Sequence, residues 1–321
     1  MTLQPARVTA GWRAATVNDG APGWGVVRLR PLTVGELLDD AFELLRSNWR
    51  TLVLVVGAVV VPFELLAGFL QRGLLGGLGV MELLEDPTAA AVAFGQTDLG
   101  TLEASAARIL AALTVFALVE GVVVRVGVSA LLGEELTPMQ ALRATLPRWP
   151  ALIVAWILVM AAAFSVFGLA LALSLIGLFT PLGIVLGPLL LLVSVPVGLT
   201  VYGLLRAVPA AVVIEGLGPF AAMARSARLV RPRIFPVLLA VGLALLVGWL
   251  VETALATLPT AGGFLFGLEV GWVLVSAGAI AAGLVARPFQ ALVGALVYVD
   301  ARVRREGLDL EVRAEQGAHP A

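Results

Sequence analysis

Between Leu32 and Pro62 the chain passes from a helical alternation of apolar and charged positions into an unbroken apolar run. Val34, Leu37, Leu38, Ala41, Phe42 and Leu45 recur at three- and four-residue steps, and Glu36, Asp39, Asp40, Glu43 and Arg46 take the opposite face. Thr33 and Glu36 have the spacing of a capping box, in which each side chain satisfies a backbone donor at the other's position, so a helix starts there. Acidic groups come first and Arg46 and Arg50 last, as the helix dipole favours. Trp49 stands where this pattern gives way to TLVLVVGAVVV, the level at which amphipathic indoles collect at a bilayer surface. The pattern predicts a helix lying on a membrane that then turns into it.

The same arrangement recurs twice. Thr137 and Gln140 have capping-box spacing, Pro138 fits the first helical position, and Met139, Leu142, Leu146 and Trp149 form an apolar stripe. A third copy opens at Gly218-Pro219 and carries Arg225, Arg228, Arg231 and Arg233 on a poorer apolar face. Trp149-Pro150 and Phe235-Pro236 hold equivalent places, each followed by an aliphatic run, which reads as an internal repeat. Apolar spans are predicted at about 51–70, 108–132, 150–178, 181–206, 236–258 and 268–298, each reaching or exceeding the roughly 20 residues that cross a bilayer core. The fold class is an all-α integral membrane protein: six transmembrane helices in three hairpins, each hairpin preceded by a cytoplasmic interfacial amphipathic helix. Residues 31–305 form this domain, between a disordered cytoplasmic tail at 1–30 and a second tail at 306–321. No hydrophobic signal-peptide region precedes residue 51, so the first tail is expected to be retained.

Composition removes most chemistry. Sixty per cent of residues are hydrophobic and 13% charged, with a mean hydropathy of +1.00, outside the range of a soluble domain. There is no cysteine, and all 21 basic residues are arginine. Thiolate metal sites, thiol nucleophiles, Schiff-base lysines, Ser-Lys dyads and the P-loop lysine are thereby excluded. The one histidine, His319, lies in the polar C-terminal tail and reads as solvated. No metallopeptidase motif is present and no aspartate falls inside a predicted span, so no enzyme, metal or cofactor is expected. A net charge of −1 without a basic tract bearing aromatics gives no sign of nucleic acid. The connection at 73–106 carries Glu82, Glu85, Asp86, Asp98 and Glu103, and all but Arg72, Arg108, Arg125 and Arg287 of the 21 arginines fall on the other expected side. The positive-inside rule then places the chain in a bacterial cytoplasmic (inner) membrane with both termini cytoplasmic.

Charges inside spans cost roughly 2.5–3.5 kcal/mol on insertion scales and need a partner or a reason. Glu64, Glu120, Arg125 and Arg287 are the candidate intramembrane polar site, with Arg125 expected to reach Glu64 across the first hairpin. They read either as structural ion pairs and interface-seeking arginines or as a site for a lipid headgroup or other anion. Arg206 reads as the charge that ends the apolar stretch from 150, and Glu215, Glu252 and Glu269 as solvated at span ends. Gly183 and Gly187 form GxxxG, which permits close helix approach. Pro181, Pro188 and Pro196 suggest a kinked fourth span, a feature of some transporter sites. Arg143, Arg148, Arg225, Arg228, Arg231 and Arg233 form a candidate face for anionic lipid or a partner, each worth about 1 kcal/mol near an anionic leaflet. The leading expectation is a non-catalytic module that binds membrane lipids or anchors a membrane or cytoplasmic protein partner. The alternative is a transporter or lipid translocator using the Glu64, Glu120, Arg125 and Pro188 region.

Three stretches, RPLTVGELLDDAFELLRSNWR, PAAVVIEGLGPFAAMARSARLVRPRIFPVLLA and LVYVDARVRREGLDLEV, resemble the six-span membrane domain found ahead of some bacterial glycerophosphodiester phosphodiesterases. The resemblance covers about residues 30–312 and is similar to stand-alone members of high-GC actinobacteria, which have no established activity. It implies the six-span fold. No acidic, histidine-bearing barrel is expected after residue 312, so it does not carry over catalysis.

Overall fold

A segment in hydrocarbon must satisfy its backbone groups internally, so long apolar runs become helices. The computed structural model describes residues 31–71, 99–177, 179–265 and 267–308. The tail at 1–30, the acidic connection from 72 to 98, the C-terminal tail from 309 and the side chains of Arg108 and Glu269 lie outside the described residues.

Among the described residues there are ten α-helices and no strand. They are α1 (Val34–Ser47), α2 (Trp49–Gln71), α3 (Leu99–Leu131), α4 (Pro138–Thr145), α5 (Trp149–Gly177), α6 (Pro181–Leu204), α7 (Val208–Ile214), α8 (Pro219–Val230), α9 (Ile234–Leu265) and α10 (Leu268–Glu306). Six helical stretches among the described residues are long and apolar enough to cross a membrane. The chain is an all-α polytopic membrane protein.

Each capping box is formed: Thr33 N donates to Glu36 at 2.8 Å, and Thr137 N to Gln140 at 2.9 Å. Single 3-10 turns, Leu146–Arg148 and Arg231–Arg233, join α4 to α5 and α8 to α9, each with proline in its middle. The second and third units are therefore built alike. In the first, Asn48 breaks the helix and its Nδ2 donates to Leu44 O at 3.2 Å.

Helix α10 has 39 residues, about 58 Å at 1.5 Å per residue. That is nearly twice a bilayer core, so its arginine-rich end projects beyond the hydrocarbon. Helix α1 docks there through Leu37, Ala41 and Leu44, while Phe42 stays 60% exposed. The expected stripe included Phe42 and omitted Leu44; the difference arises because α1 packs on α9 and α10 as well as α2, and those neighbours select its buried face. Leu32 N donates to Asp300 Oδ1 at 2.8 Å, and Arg304 donates to Leu32 O at 2.8 Å.

The fourth span ends within two residues of its expected bound, but the chain does not leave the bundle there. It breaks at Leu205–Ala207 and resumes as α7, whose residues Val208 to Val213 are all buried. Ser226 of α8 mends the break: its hydroxyl donates to Leu204 O at 2.7 Å and accepts from Ala207 N at 3.2 Å.

Candidate functional site

Five helices turn one periodic face each toward a common cavity of about 680 Å³. Helix α3 supplies Phe116, Val119 and Glu120; α5 supplies Trp156, Met160, Ala163, Phe164 and Phe167; α6 supplies Ser194, Val195, Gly198, Leu199 and Tyr202. Leu245 and Glu252 come from α9, and Arg287, Gln290 and Ala291 from α10. Steps of three, four and seven place each set on one side of its helix. Helices α5 and α6 pack chiefly against each other and leave their outer halves exposed. Phe164, at 65% exposure, belongs both to that apolar flank and to the cavity lining, so the cavity opens sideways where hydrocarbon would lie.

The cavity is polar at its base. Arg206, in the break of the fourth span, forms a buried ion pair with Glu120 and donates to Gln290 O. Trp156 Nε1 donates to the other Glu120 oxygen at 2.5 Å. The Arg206 guanidinium lies 5.7 Å from the Tyr202 ring centroid. Gly294 makes room for it, since a Cβ there would lie 2.8 Å from Arg206 Cζ.

Arg287 sits 3.6 Å from Glu64 Oε1 and stacks 3.8 Å above the Phe116 ring centroid. At 3.6 Å the pair is an electrostatic contact without a hydrogen bond, and Arg287 Nε is buried with no hydrogen-bond partner among the described residues. Glu64 itself is buried, its carbonyl accepting from Ser276 at 3.2 Å. Glu252 lines the same cavity with no hydrogen bond or salt bridge among the described residues.

Four expectations are corrected. Arg125 does not meet Glu64: five residues along a helix is about 140° of rotation from Glu120, so Arg125 points away from the cavity, with Nε buried and without a hydrogen-bond partner among the described residues. Arg287 takes Glu64 instead. Arg206 is not a terminal interface charge but a buried cavity group, and Glu252 lines the cavity rather than a solvated span end. Pro188 and Pro196 are exposed on the outer flank of α6 and take no part in the lining. Arg206 was nevertheless readable, because apolar sequence continues past it through AVPAAVVI.

The basic face is also partly internal structure. Arg225 pairs with Glu215 at 3.0 Å and with Glu306 at 2.8 Å, and Arg233 with Asp300 at 3.4 Å. Tyr298 donates to Glu215 at 2.8 Å. Arg148 donates to Gly216 O at 3.2 Å, and Arg228 to its own helix at Ala224 O. Only Arg143 and Arg231 of the six are exposed without a polar partner among the described residues. No family model, curated protein or solved structure matches this chain.

Proposed function

We propose that the protein is a non-catalytic lipid-binding module that accommodates an amphiphile in the cavity between α3, α5, α6, α9 and α10. The observation that carries this is the lateral opening: one cavity joins an apolar, exposed mouth at Phe164 and Phe167 to a base holding Arg287, Glu252 and the Glu120–Arg206 pair. Its volume of about 680 Å³ lies within the roughly 300–1,000 Å³ of ligand pockets. It suits a headgroup and the upper part of its chains, the rest remaining in the bilayer. The arginine-rich end with both termini faces the cytoplasm of a bacterial cell in this reading, with Arg143 and Arg231 against anionic headgroups. The stretches that resemble the phosphodiesterase membrane domain meet at this end, through Leu32 with Asp300 and Arg225 with Glu306. The family assignment is itself a proposal and rests on the resemblance of those stretches.

Translocation of the bound lipid is a second reading, favoured by the helix break at Arg206 beside the cavity, since interrupted helices line transport sites in repeat-built folds. Native mass spectrometry of protein extracted gently from lipid nanodiscs tests the primary reading. Lipid adducts are expected on the wild type and are expected to fall at least tenfold in Ala163→Phe, which fills the cavity from its wall. Absence of adducts from the wild type, or equal adducts on both, would overturn it.

A further inference from the structure

The two charges that line the cavity without saturated partners are of opposite sign. Arg287 holds Glu64 only at 3.6 Å and makes no hydrogen bond among the described residues; its Nε is buried, so the donors left for a ligand are those of its two terminal nitrogens. Glu252 lines the same cavity as Arg287, yet the two form no salt bridge. A gap between opposite charges in a lipid-open cavity selects a ligand that carries both signs. The second guanidinium does not alter this balance, because Arg206 is engaged by Glu120 and Gln290. A net-anionic headgroup would meet Arg287 favourably but Glu252, and Glu64 at 3.6 Å from Arg287, unfavourably; a simple cation would meet the reverse.

Resting on the lipid-binding reading, we propose that the cavity takes the headgroup of a zwitterionic phospholipid, its phosphate on Arg287 and its primary ammonium on Glu252. A guanidinium suits a phosphate because its planar donors reach two oxygens at once. A primary ammonium donates hydrogen bonds to a carboxylate, which a quaternary one lacks. The acyl chains leave past Phe164 and Phe167 into the surrounding bilayer.

The test is native mass spectrometry from nanodiscs of equimolar phosphatidylethanolamine, phosphatidylcholine and phosphatidylglycerol, with wild type, Glu252→Gln and Ala163→Phe in parallel. Glu252 makes no hydrogen bond or salt bridge among the described residues, so Glu252→Gln breaks no such pair, and an unchanged melting temperature verifies the variant. Wild type is expected to retain phosphatidylethanolamine about tenfold over phosphatidylglycerol, equivalent to about 1.4 kcal/mol, and to prefer it to phosphatidylcholine. Glu252→Gln is expected to abolish the preference over phosphatidylglycerol. Lipid retained by wild type and displaced by Ala163→Phe, but without headgroup preference or with phosphatidylglycerol favoured, would overturn the headgroup assignment and leave lipid binding standing. A preference unchanged in Glu252→Gln would do the same. Failure to retain any lipid would overturn both, and the wild-type ratios decide the matter even if Glu252→Gln fails to fold.

Discussion

Glu120 of α3 and Arg206, at the break between α6 and α7, form an ion pair inside the bundle, with Trp156 holding the second carboxylate oxygen at 2.5 Å. Both residues are buried, at 8% and 5% exposure. Removing one member leaves the other charged and unpaired in a low-dielectric site, which typically costs about 3–5 kcal/mol. Glu120→Gln and Arg206→Met are each expected to lower the detergent melting temperature strongly. The double variant Glu120→Leu with Arg206→Met is expected to be more stable than either single variant, because neither charge is then stranded. Thermal unfolding of all three checks the ordering.

The hairpin of α5 and α6 closes by backbone contact. A Cβ at Gly183 would lie 2.0 Å from Gly177 O, whereas one at Gly168 would meet nothing within 4 Å. Ser174 reinforces the contact by donating to Gly187 O at 3.0 Å. Gly183→Ala is therefore expected to destabilise by about 1–3 kcal/mol through enforced separation of the helices. Gly168→Ala is expected to be neutral or to stabilise by up to about 1 kcal/mol, since alanine favours the helix without a clash. Paired melting curves separate the two.

Local signals made the architecture readable. The capping boxes at Thr33 and Thr137, the prolines opening α4 and α8, and the apolar runs all act within a few residues and write directly into sequence. Gly183 and Gly187 were legible for the same reason. Pairing was not: nothing in spacing alone tells Glu64 to choose Arg287 over Arg125, because that choice depends on the rotation of α2, α3 and α10 about their own axes. Arg206 was misread for a different reason, a span length fixed at one bilayer crossing, which hid the break and the buried helix α7 beyond it. The i, i+3, i+4 sets Phe116, Val119, Glu120 and Arg287, Gln290, Ala291 carry the cavity in their periodicity, but only the helix neighbours show that these faces converge.

The arginines of the polar end divide by partner. Arg225 bridges Glu215 and Glu306 and so ties α8 to the end of α10, while Arg231 is exposed without a polar partner among the described residues. Arg225→Gln is expected to cost about 1–3 kcal/mol, as charge-assisted hydrogen bonds do. Arg143→Gln and Arg231→Gln are expected to remain within about 0.5 kcal/mol of wild type. Phosphatidylglycerol retained after gentle extraction, read by native mass spectrometry, should fall for the Arg143 and Arg231 pair of variants without loss of melting temperature. A fourfold glutamine change from Arg225 to Arg233 would confuse membrane contact with unfolding.

Asp300 holds α1 onto the bundle from the far end of the chain. Its carboxylate accepts from Leu32 N at 2.8 Å and from Arg304 Nε at 2.8 Å, and it pairs with Arg233 at 3.4 Å. Arg304 in turn donates to Leu32 O, so the residue preceding the capping box is gripped on both backbone groups. Asp300→Ala removes the acceptor of Leu32 N and the carboxylate that orients Arg304, while leaving the apolar seat of Leu37, Ala41 and Leu44 in place. Helix α1 should then open as a unit without loss of the membrane bundle, because local openings follow the weakest cooperative segment. A loss of about 2 kcal/mol from hydrogen bonds to a charged group corresponds to roughly thirtyfold faster exchange. Hydrogen exchange read by mass spectrometry is expected to show that acceleration across 34–47 with α5 unchanged. Equal acceleration in both would mean that Asp300 secures the whole bundle rather than the docking of α1.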